Sequence, residues 1–436
     1  MLTWNSPRRR ALVGAGVLLV VSVTAPAAPA AAAVGPVPGS HPRPVVEAAS
    51  VKPNGRTAGF MESQPAVSDD GQRVAFVSSA GTLVRGVTGT CAQVYVRDRA
   101  RGVTLLASSG EDGAPATGSC NSVTSTWTPM SGDGRLVAFL SDAPSLLRGP
   151  GRAAAHVFVK HLDTGRLERI AVPVEPSRPG LSRSVGAVSM SADGRYLAVT
   201  VGLGLNEVTN HVGYWYDRAT RTWQRICHAM VARCVVQAVS PDGRYVAYRF
   251  IPRIVQPGDR PRLTVYDRVT GRSRWVAGTP AGQTQDPNWM RFSDDGRTLV
   301  VSWSSFDFGT YAPAVTVHRV GDFAEQQLIR FPGLGAALDV DRTGRRLAIS
   351  YHRSDRQGYK YIIDTAVYDR VSGRLRIASI APDGSPGNDT SVPGGITPDG
   401  RTVVMASSAS NLAPGDRPGD DYYGGDCLVA TFPPRA

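Results

Sequence analysis

The stretch SPDGRYVAY at residues 240–248 contains a compact turn followed by an apolar strand. Proline suits the first corner of a type I turn, aspartate accepts hydrogen bonds from the backbone that follows it, and glycine adopts the left-handed conformation that a bulged hairpin requires. The residues before Ser240 are also apolar. The stretch therefore predicts two antiparallel strands joined by a tight turn, with the arginine at the start of the second strand.

This pattern occurs seven times, with 48 to 63 residues between successive turn glycines. The sixth copy carries Thr343 where the others have aspartate, so we expect its side-chain cap to be weaker. The copies are SDDGQRVAF at 68–76, SGDGRLVAF at 131–139, SADGRYLAV at 191–199, SPDGRYVAY at 240–248, SDDGRTLVV at 293–301, DRTGRRLAI at 341–349 and TPDGRTVVM at 397–405.

A second pattern follows most copies, in which an apolar strand ends in aspartate, a basic residue and a turn that usually contains glycine. Its clearest examples are VYVRDRARG at 94–102, GYWYDRATR at 213–221, LTVYDRVTG at 263–271 and TAVYDRVSG at 365–373. Another strand comes next, so each unit holds four short strands, which we call a to d. Long helical periodicity is absent. Seven such units predict an all-β, seven-bladed β-propeller with four antiparallel strands per blade, because stacked blades bury faces that one sheet leaves open.

The seventh unit ends after strand c, so its strand d must come from elsewhere. The segment VVEAASVKPNG at 45–55 aligns with LRIASIAPDG at 375–384, which contains a strand d, and Ser50 aligns with Ser379. We therefore predict that residues 44–50 form the outer strand of blade 7. This N-terminal strand would close the ring by joining the first blade to the last.

The repeat S-P-D-G-R followed by an apolar strand resembles the WD40-like repeats of the TolB β-propeller family. The resemblance covers residues 45–432, and its seven copies in register make it specific for the fold. The arginine- and alanine-rich composition resembles that of secreted actinobacterial proteins.

The N-terminus predicts export. Three consecutive arginines precede an apolar run at 11–23 and an Ala/Pro stretch at 25–33 with several small-x-small cleavage options. We assign 1–33 as a signal peptide, 34–43 as a flexible segment and 44–436 as the propeller. The apolar run is short for a bilayer span, so we expect a secreted, extracellular or cell-envelope protein with no membrane span after cleavage. Both the general secretory and the twin-arginine routes are compatible with the sequence.

Export permits disulfide bonds among the five cysteines. Cys227 and Cys234 flank a predicted loop between strands, and we expect them to pair. Cys91 and Cys120 flank one strand-turn-strand unit and can pair as well. Cys427 is then left over. No Cys-x-x-Cys motif suggests zinc.

The formal net charge is +12, from 48 Lys+Arg against 36 Asp+Glu. Most arginines occupy repeated turn positions, so we expect structural roles for them and a monomer that binds no nucleic acid. An arginine-rich surface can also bind phosphate or uronate chains, because guanidinium groups match these anions.

Motifs for catalysis and metal binding are scarce. The sequence has no G-x-S-x-G elbow and no H-E-x-x-H motif, and no histidine lies in a predicted innermost strand. We expect no cofactor other than calcium, for which an Asp/Gly-rich loop offers oxygen ligands, although a solvated loop is the alternative. The calcium candidates are Asp416, Asp420, Asp421 and Asp426.

The channel mouth formed by the loops from strand d to the next strand a is the predicted functional surface. Two tryptophans open innermost strands there, and arginine and asparagine lie nearby in sequence, a composition that suits a sugar or peptide platform. The alternative is that both tryptophans pack between blades. The candidate ligand-binding residues are Trp127, Arg183, Asn288, Trp289, Arg291 and Asp389.

The sequence thus favours a secreted, non-catalytic scaffold that binds a protein, peptide or cell-envelope glycan through loops at one channel mouth. The alternative is a propeller enzyme, a lyase, lactonase or hydrolase that acts on a polysaccharide or lactone. Three or more metal-ligating side chains at one mouth would favour the enzyme, whereas a channel lined by Ser, Thr and apolar groups would favour the scaffold.

Overall fold

The computed structural model describes residues 43–434 except 60, 89–90, 118–128, 147–155, 174–181, 206–207, 228–231, 253–260, 277–284, 306–313, 331–335, 355–360 and 416–424. Regular structure in these residues is β-strand, apart from one 3-10 turn at Pro144–Leu146. No helix in the described ranges combines the length and the apolar character needed to cross a membrane. The strands form seven antiparallel sheets, six with four strands and one with three.

Each sheet is one blade, and its strands a to d follow one another from the central channel to the rim. Blade 1 contains β2 (Ala66–Val67), β3 (Arg73–Ser78), β4 (Gln93–Asp98) and β5 (Val103–Leu106). Blade 2 contains β6 (Leu136–Ser141), β7 (His156–His161) and β8 (Leu167–Ile170). Blade 3 contains β9 (Ser182–Met190), β10 (Tyr196–Leu205), β11 (Val208–Asp217) and β12 (Thr222–Arg225). Blade 4 contains β13 (Ala232–Val239), β14 (Tyr245–Pro252), β15 (Arg262–Asp267) and β16 (Arg272–Trp275). Blade 5 contains β17 (Gln285–Phe292), β18 (Thr298–Ser305), β19 (Ala314–Arg319) and β20 (Glu325–Arg330). Blade 6 contains β21 (Ala336–Val340), β22 (Arg346–Ser354), β23 (Tyr361–Asp369) and β24 (Arg374–Ile377). Blade 7 contains β25 (Ser391–Ile396), β26 (Thr402–Ser407), β27 (Asp426–Thr431) and β1 (Val45–Ala48).

In the described part of blade 2, strand a is represented by a bridge between Met130 and Val137. Residues 118–128, which precede this bridge, lie outside the described residues. The other blades show why the sequence of each strand matches its place. The middle strands β3 and β4 are almost entirely buried, whereas the outermost β16 is exposed along its whole length. Strands covered on both faces need nearly continuous apolar residues, which is what the repeats supply.

The core consists of seven apolar clusters, each lying between two neighbouring blades. One of them contains Trp215 from blade 3 and Tyr248 from blade 4. Another joins the first blade to the last, with Phe76 and Tyr95 packed near Val429. Because every blade packs on both neighbours, the sheets form a closed ring. The predicted seven-bladed β-propeller is confirmed.

The repeated turn has the chemistry that the sequence predicts. Ser240 Oγ donates to Asp242 Oδ1 at 2.5 Å and accepts the Tyr245 N–H at 2.9 Å. Asp242 Oδ1 also accepts the Arg244 N–H at 3.0 Å, and Gly243 has a φ of 69°. These bonds satisfy the turn backbone and fix the hairpin register. The same hydroxyl-to-aspartate bond starts at Ser68, Ser131, Ser191, Ser293 and Thr397.

The sixth turn keeps a side-chain cap, but a different residue makes it than in the other copies. Asp341 stands at the serine position, and its Oδ1 accepts hydrogen bonds from Thr343 Oγ1 at 3.1 Å and from the Arg345 N–H at 2.8 Å. Carboxylate and hydroxyl have exchanged places, so the turn retains both a donor and an acceptor. An exchange of two positions is invisible when each position is compared with the repeat separately.

The N-terminal strand closes the ring as predicted. β1 is the outermost strand of blade 7 and pairs antiparallel with β27, with Val46 opposite Ala430. At the channel, Gly395 donates its N–H to the Pro65 carbonyl oxygen at 2.9 Å. A Cβ on Gly394 would lie 2.1 Å from that oxygen, so glycine permits this contact between blades 7 and 1. The ring is therefore fastened at both its rim and its centre.

The alignment of Ser50 with Ser379 reflects equal positions in two blades. Ser379 Oγ donates to Asp364 Oδ1 at 2.9 Å in blade 6. Ser50 Oγ donates to Asp426 Oδ1 at 3.1 Å in blade 7, although 376 residues separate them in the chain. The closing segment therefore reproduces the contact that a continuous strand d makes.

Most of the turn arginines stabilise the blades themselves. Arg195 pairs with Asp217 at 2.8 Å and Arg244 with Asp267 at 2.9 Å, each joining the end of the a–b turn to the end of strand c. The bonds from Arg195 lower the pKa of Asp217, which is the sign expected for a paired carboxylate. In these turns the arginine therefore has a structural partner within its own blade.

The cysteines follow the sequence prediction where the structure describes them. Cys227 and Cys234 form a disulfide that links the end of blade 3 to strand a of blade 4. Cys91 is disulfide-bonded, and Cys120 lies outside the described residues. Cys427 is a buried free thiol, and burial raises its pKa well above the usual value.

Candidate functional site

The central channel is lined by residues from the strand-a segments of all seven blades and contains a cavity of about 140 Å³. Most lining residues are small or apolar, namely Ala, Val, Pro, Gly, Met, Ile and Phe. Four ionisable residues interrupt this lining, and we call them the channel cluster. They are Asp69, Arg291, Asp294 and Asp339.

The channel cluster lies at the mouth formed by the a–b turns. Asp69 and Asp294 each follow the residue that begins an a–b turn, which is serine in both copies. Arg291 and Asp339 are the second-last residues of strands β17 and β21, just before the turns. Backbone bonds between adjacent turns hold this mouth together, with the Asp69 N–H donating to the Gly132 carbonyl at 2.7 Å. The Asp295 N–H donates in the same way to the Arg342 carbonyl at 3.0 Å. The charged groups are therefore carried by a firmly bonded ring of turns.

One member of the cluster also connects two blades. Asp339 Oδ2 accepts the Ile396 N–H at 3.0 Å, which joins blade 6 to blade 7. Its Oδ1 lies 3.7 Å from Arg291 Nε of blade 5. The Asp339 and Arg291 side chains remain 24% and 26% exposed, so both reach the channel interior. The Asp339 carboxylate is thus held by the backbone of blade 7 through Oδ2, while its Oδ1 lies near Arg291.

Burial and like charges shift the protonation of the cluster. Burial raises the pKa of Asp294 to about 7, and the Asp339 and Asp69 carboxylates add to this rise, while Arg342 opposes it. Burial also raises the pKa of Asp339, and Arg291 counteracts it. Near neutral pH the Asp294 carboxyl is therefore only partly ionised.

This arrangement can donate and accept hydrogen bonds at the same place. A partly protonated carboxyl offers an O–H donor and a free acceptor, and the neighbouring carboxylate accepts from an ammonium, a guanidinium or a hydroxyl group. A carboxyl with a raised pKa in a cleft is also a candidate proton donor or acceptor. Within the described ranges, no group of three or more His, Cys, Asp or Glu side chains is placed to hold a metal ion.

The predicted ligand-binding residues that the structure describes lie in different regions. Arg291 belongs to the channel cluster, whereas Asn288 and Trp289 lie on β17 beside a bulge after Pro287. The Asp389 carboxylate accepts the Thr390 N–H at 2.7 Å just before β25. Arg183 lies on β9, where only the backbone is described, and Trp127 lies outside the described residues.

The mouth formed by the loops from strand d to strand a was predicted to carry the ligand, and this stays a prediction. Several of those connections, at 118–128, 174–181, 228–231, 277–284 and 331–335, lie outside the described residues. The charged residues that line the described cavity lie at the opposite mouth. We therefore build the candidate site on the a–b mouth.

The calcium candidates divide in a similar way. Asp416, Asp420 and Asp421 lie outside the described residues. Asp426 is buried at the start of β27, where it accepts the hydrogen bond from Ser50. Its position gives it a role in fastening the closing segment.

The described histidines lie outside the innermost strands, but not all of them are satisfied, because Nδ1 of His211 and Nδ1 of His352 are buried without a hydrogen-bond partner. His156, His161 and His318 lie on strands c of blades 2 and 5. His318 is fully buried, contacts Thr316 Oγ1 at 2.8 Å, and burial lowers its pKa to about 4. A neutral, buried imidazole with bonded partners serves the packing of the blade.

Sequence reasoning missed the three carboxylates of the channel cluster, although the repeat alignment contains the signal for two of them. The second residue of the a–b turn faces the channel mouth, and this residue is aspartate in the first and fifth copies of the repeat. The turn cap is made by the next aspartate, Asp70 or Asp295. The seven residues at this position are Asp69, Gly132, Ala192, Pro241, Asp294, Arg342 and Pro398.

Comparisons with known proteins support the fold. No protein-family model and no curated protein matches the chain. The structure is similar to oligogalacturonate lyase from Vibrio parahaemolyticus, with a TM-score of 0.56 and 11% identity, covering 90% of this chain and 99% of that one. It is similar to an oligogalacturonate lyase in complex with manganese, with a TM-score of 0.56 and 13% identity, covering 90% and 97%. TolB from Acinetobacter baumannii also matches, with a TM-score of 0.41 and 14% identity, covering 86% and 78%.

At these identities the likeness concerns the fold alone. The molecule is a seven-bladed β-propeller with a charged cluster at one mouth of its channel. Propellers of this fold serve several unrelated activities, so function must be argued from the site. The WD40-like repeat assignment and the actinobacterial type stay predictions.

Proposed function

We propose that the chain is a secreted binding scaffold without catalysis of its own, which holds a protein, peptide or cell-envelope glycan at one mouth of its channel. Of the two mouths, we assign the one formed by the a–b turns. The signal peptide proposed at 1–33 would deliver the propeller to the extracellular space or the cell envelope.

The observation that carries this proposal is the channel cluster. Ionisable groups from blades 1, 5 and 6 meet in a lining that is otherwise small and apolar. Burying ionisable groups costs free energy unless hydrogen bonds or opposite charges compensate them. Folding does not require Asp69 and Asp294, because the turn caps are made by the aspartates that follow them. Sites that break the pattern of the fold in this way are commonly functional.

The charges of the cluster indicate the chemistry of its ligand. Asp69, Asp294 and Asp339 favour a cationic group, such as a lysine or arginine side chain or an amino sugar. Arg291 and the neighbouring Arg342 can pair with a negative group of the ligand that lies beside the cationic one. Such a pair of opposite charges occurs in protein and peptide segments and in the peptide-bearing glycans of cell envelopes.

A propeller enzyme is the second candidate, and Asp294 is the residue that favours it. A carboxyl with a pKa of about 7 can transfer protons as a general acid or base at neutral pH. Lyases, lactonases and hydrolases that act on polysaccharides or lactones can use such a group.

The experiment uses the mature chain, residues 34–436, immobilised and exposed to culture-supernatant proteins and to solubilised cell-wall fragments from the producing organism. Retained material is identified by mass spectrometry for the wild type and for a double variant, Asp69→Asn with Asp294→Asn. The control is Glu62→Gln, an exposed carboxylate beside the end of β3 that lies away from the a–b turns. In parallel, the wild type is incubated with oligogalacturonate and Mn²⁺ and assayed for chain cleavage.

We expect at least one component that the wild type and Glu62→Gln retain and that the double variant releases. Retention of the same components by all three proteins would overturn the assignment to the a–b mouth. Cleavage that Asp294→Asn abolishes would overturn the scaffold and establish the enzyme.

A further inference from the structure

A groove at the rim, between the outer strands of blades 2 and 3, has a different character from the channel. Its cavity measures about 730 Å³. We call it the rim groove and define it by Arg166, Arg169, Arg195, Arg218, Arg221 and Trp223. Five guanidinium groups face two carboxylates there, those of Glu168 and Asp193. The cavity volume is in the range of small-ligand sites.

The carboxylates of the rim groove are already bonded within the fold. Glu168 accepts a hydrogen bond from Arg218 at 2.6 Å, and the Arg218 side chain is only 11% exposed. Asp193 caps its own turn by accepting from Ser191 Oγ and the Arg195 N–H. The Arg166 side chain contacts His161 Nε2 at 2.9 Å and lies 3.6 Å from Glu168, yet it remains 57% exposed. The groove therefore presents an excess of positive charge to solvent.

Arg221 occupies a backbone position that normally selects glycine. It has a φ of 57°, in the left-handed region that L side chains rarely adopt. Four other c–d turns carry glycine at this position with positive φ, namely Gly102, Gly165, Gly271 and Gly373. Blade 3 alone among these five turns places a guanidinium group there, and that group lines the groove. Turn formation gives no reason for the arginine, whereas a ligand in the groove does.

An aromatic surface completes the groove. Trp223 packs on Tyr216, with ring centroids 4.4 Å apart and planes at 35°. Tyr216 is buried, and Trp223 is half-buried with part of its indole toward the groove. An indole supported from behind gives a rigid face for the apolar side of a sugar ring.

We propose that the rim groove binds an acidic oligosaccharide whose sugar rings carry carboxylate groups. One ring would pack on Trp223, and the ring carboxylates would pair with Arg166, Arg169 and Arg221. Planar guanidinium groups match carboxylates in two-point contacts, as Arg195 does with Asp217 in the wall of the groove. Single-stranded nucleic acid fits less well, because it favours a series of aromatic platforms and the groove offers one.

The test measures binding of a hexauronate derived from alginate to the mature chain by calorimetry at two salt concentrations. Its methyl ester is the matched neutral probe, and a single-stranded DNA hexamer is the matched phosphate probe. The decisive variant is Arg221→Gly, which restores the residue of the sibling turns and so is compatible with folding. The control is the pair Arg272→Gln with Arg274→Gln, exposed arginines on β16 outside the groove.

We expect the hexauronate to bind more tightly than its methyl ester, and Arg221→Gly to weaken it about fivefold, as the loss of one exposed ion pair allows. Adding Arg166→Gln and Arg169→Gln should weaken it by roughly a further tenfold. Equal binding of the ester, equal binding of DNA, or an equal loss in the β16 control would each overturn the proposal. Asp294→Asn should leave hexauronate binding unchanged, so failure here is distinct from failure at the channel.

Discussion

Replacing Asp294 by asparagine should change how the stability of the propeller depends on pH. Burial raises the pKa of this carboxyl from 3.8 to about 7. Its protonated form is therefore favoured in the folded state, and that stabilisation is full below pH 4 and is lost as pH rises through 7. The difference in proton affinity corresponds to roughly 4 kcal/mol in total, of which about 2 to 3 kcal/mol falls between pH 5 and pH 8. Asparagine keeps the shape and does not ionise.

The assay is urea unfolding of the wild type and Asp294→Asn at pH 5, 6, 7 and 8. The free energy of unfolding of the variant, relative to the wild type, should rise by about 2 to 3 kcal/mol across this range. Histidines whose pKa burial lowers, such as His318, act in the opposite sense, but they are common to both proteins and cancel in the difference. A difference that is flat from pH 5 to pH 8 would refute burial of Asp294 at the channel mouth. Glu62→Gln, at an exposed carboxylate away from the a–b turns, is the matched control.

Three further predictions concern the ring. Deleting residues 43–50 removes β1 and its contacts with blade 7, and calorimetry should show a melting temperature many degrees lower; an unchanged melt would contradict the closure. Replacing Cys227 and Cys234 by serine should cost about 2 kcal/mol, since the disulfide closes a seven-residue separation, and mass mapping of the unreduced wild type should show the crosslinked peptide. Gly243→Ala should destabilise the protein more than Gly271→Ala, because both need positive φ but only the former places a Cβ 2.5 Å from a tyrosine ring of blade 3; equal melts would exclude that contact.

The fold was predictable because the repeat specifies local structure and the alignment specifies its closure. A turn such as 240–243 determines its own hydrogen bonds, so seven copies fix seven hairpins before any tertiary contact is known. The pairing of β1 with β27 followed from the missing strand d of the seventh unit and from the alignment of residues 45–55 with 375–384, in which Ser50 matches Ser379. Local rules and global closure agreed, which is the condition under which sequence reasoning succeeds.

The channel cluster was harder to predict because its members are distant in sequence and look like turn residues. In a Ser-Asp-Asp-Gly turn the two aspartates are chemically identical, yet Asp295 caps the backbone and Asp294 faces the channel. Only the ring brings Asp294 within electrostatic range of Asp69, more than two hundred residues earlier in the chain. The raised pKa therefore belongs to the assembled channel and to none of the separate turns.

The propeller separates the residues that make the fold from those that can vary. Each a–b turn needs its capping pair and its glycine to form. The second residue of the turn makes none of these capping bonds, so its identity at the channel mouth can vary. Five c–d turns share one position of positive φ, which is glycine in four of them, and Arg221 shows that an arginine is tolerated there. Changes at these positions alter the charge of the mouth or the rim without altering the hydrogen bonds of the blades. The departures from the repeat, Asp294 at the mouth and Arg221 at the rim, are therefore the places where binding specificity should be sought first.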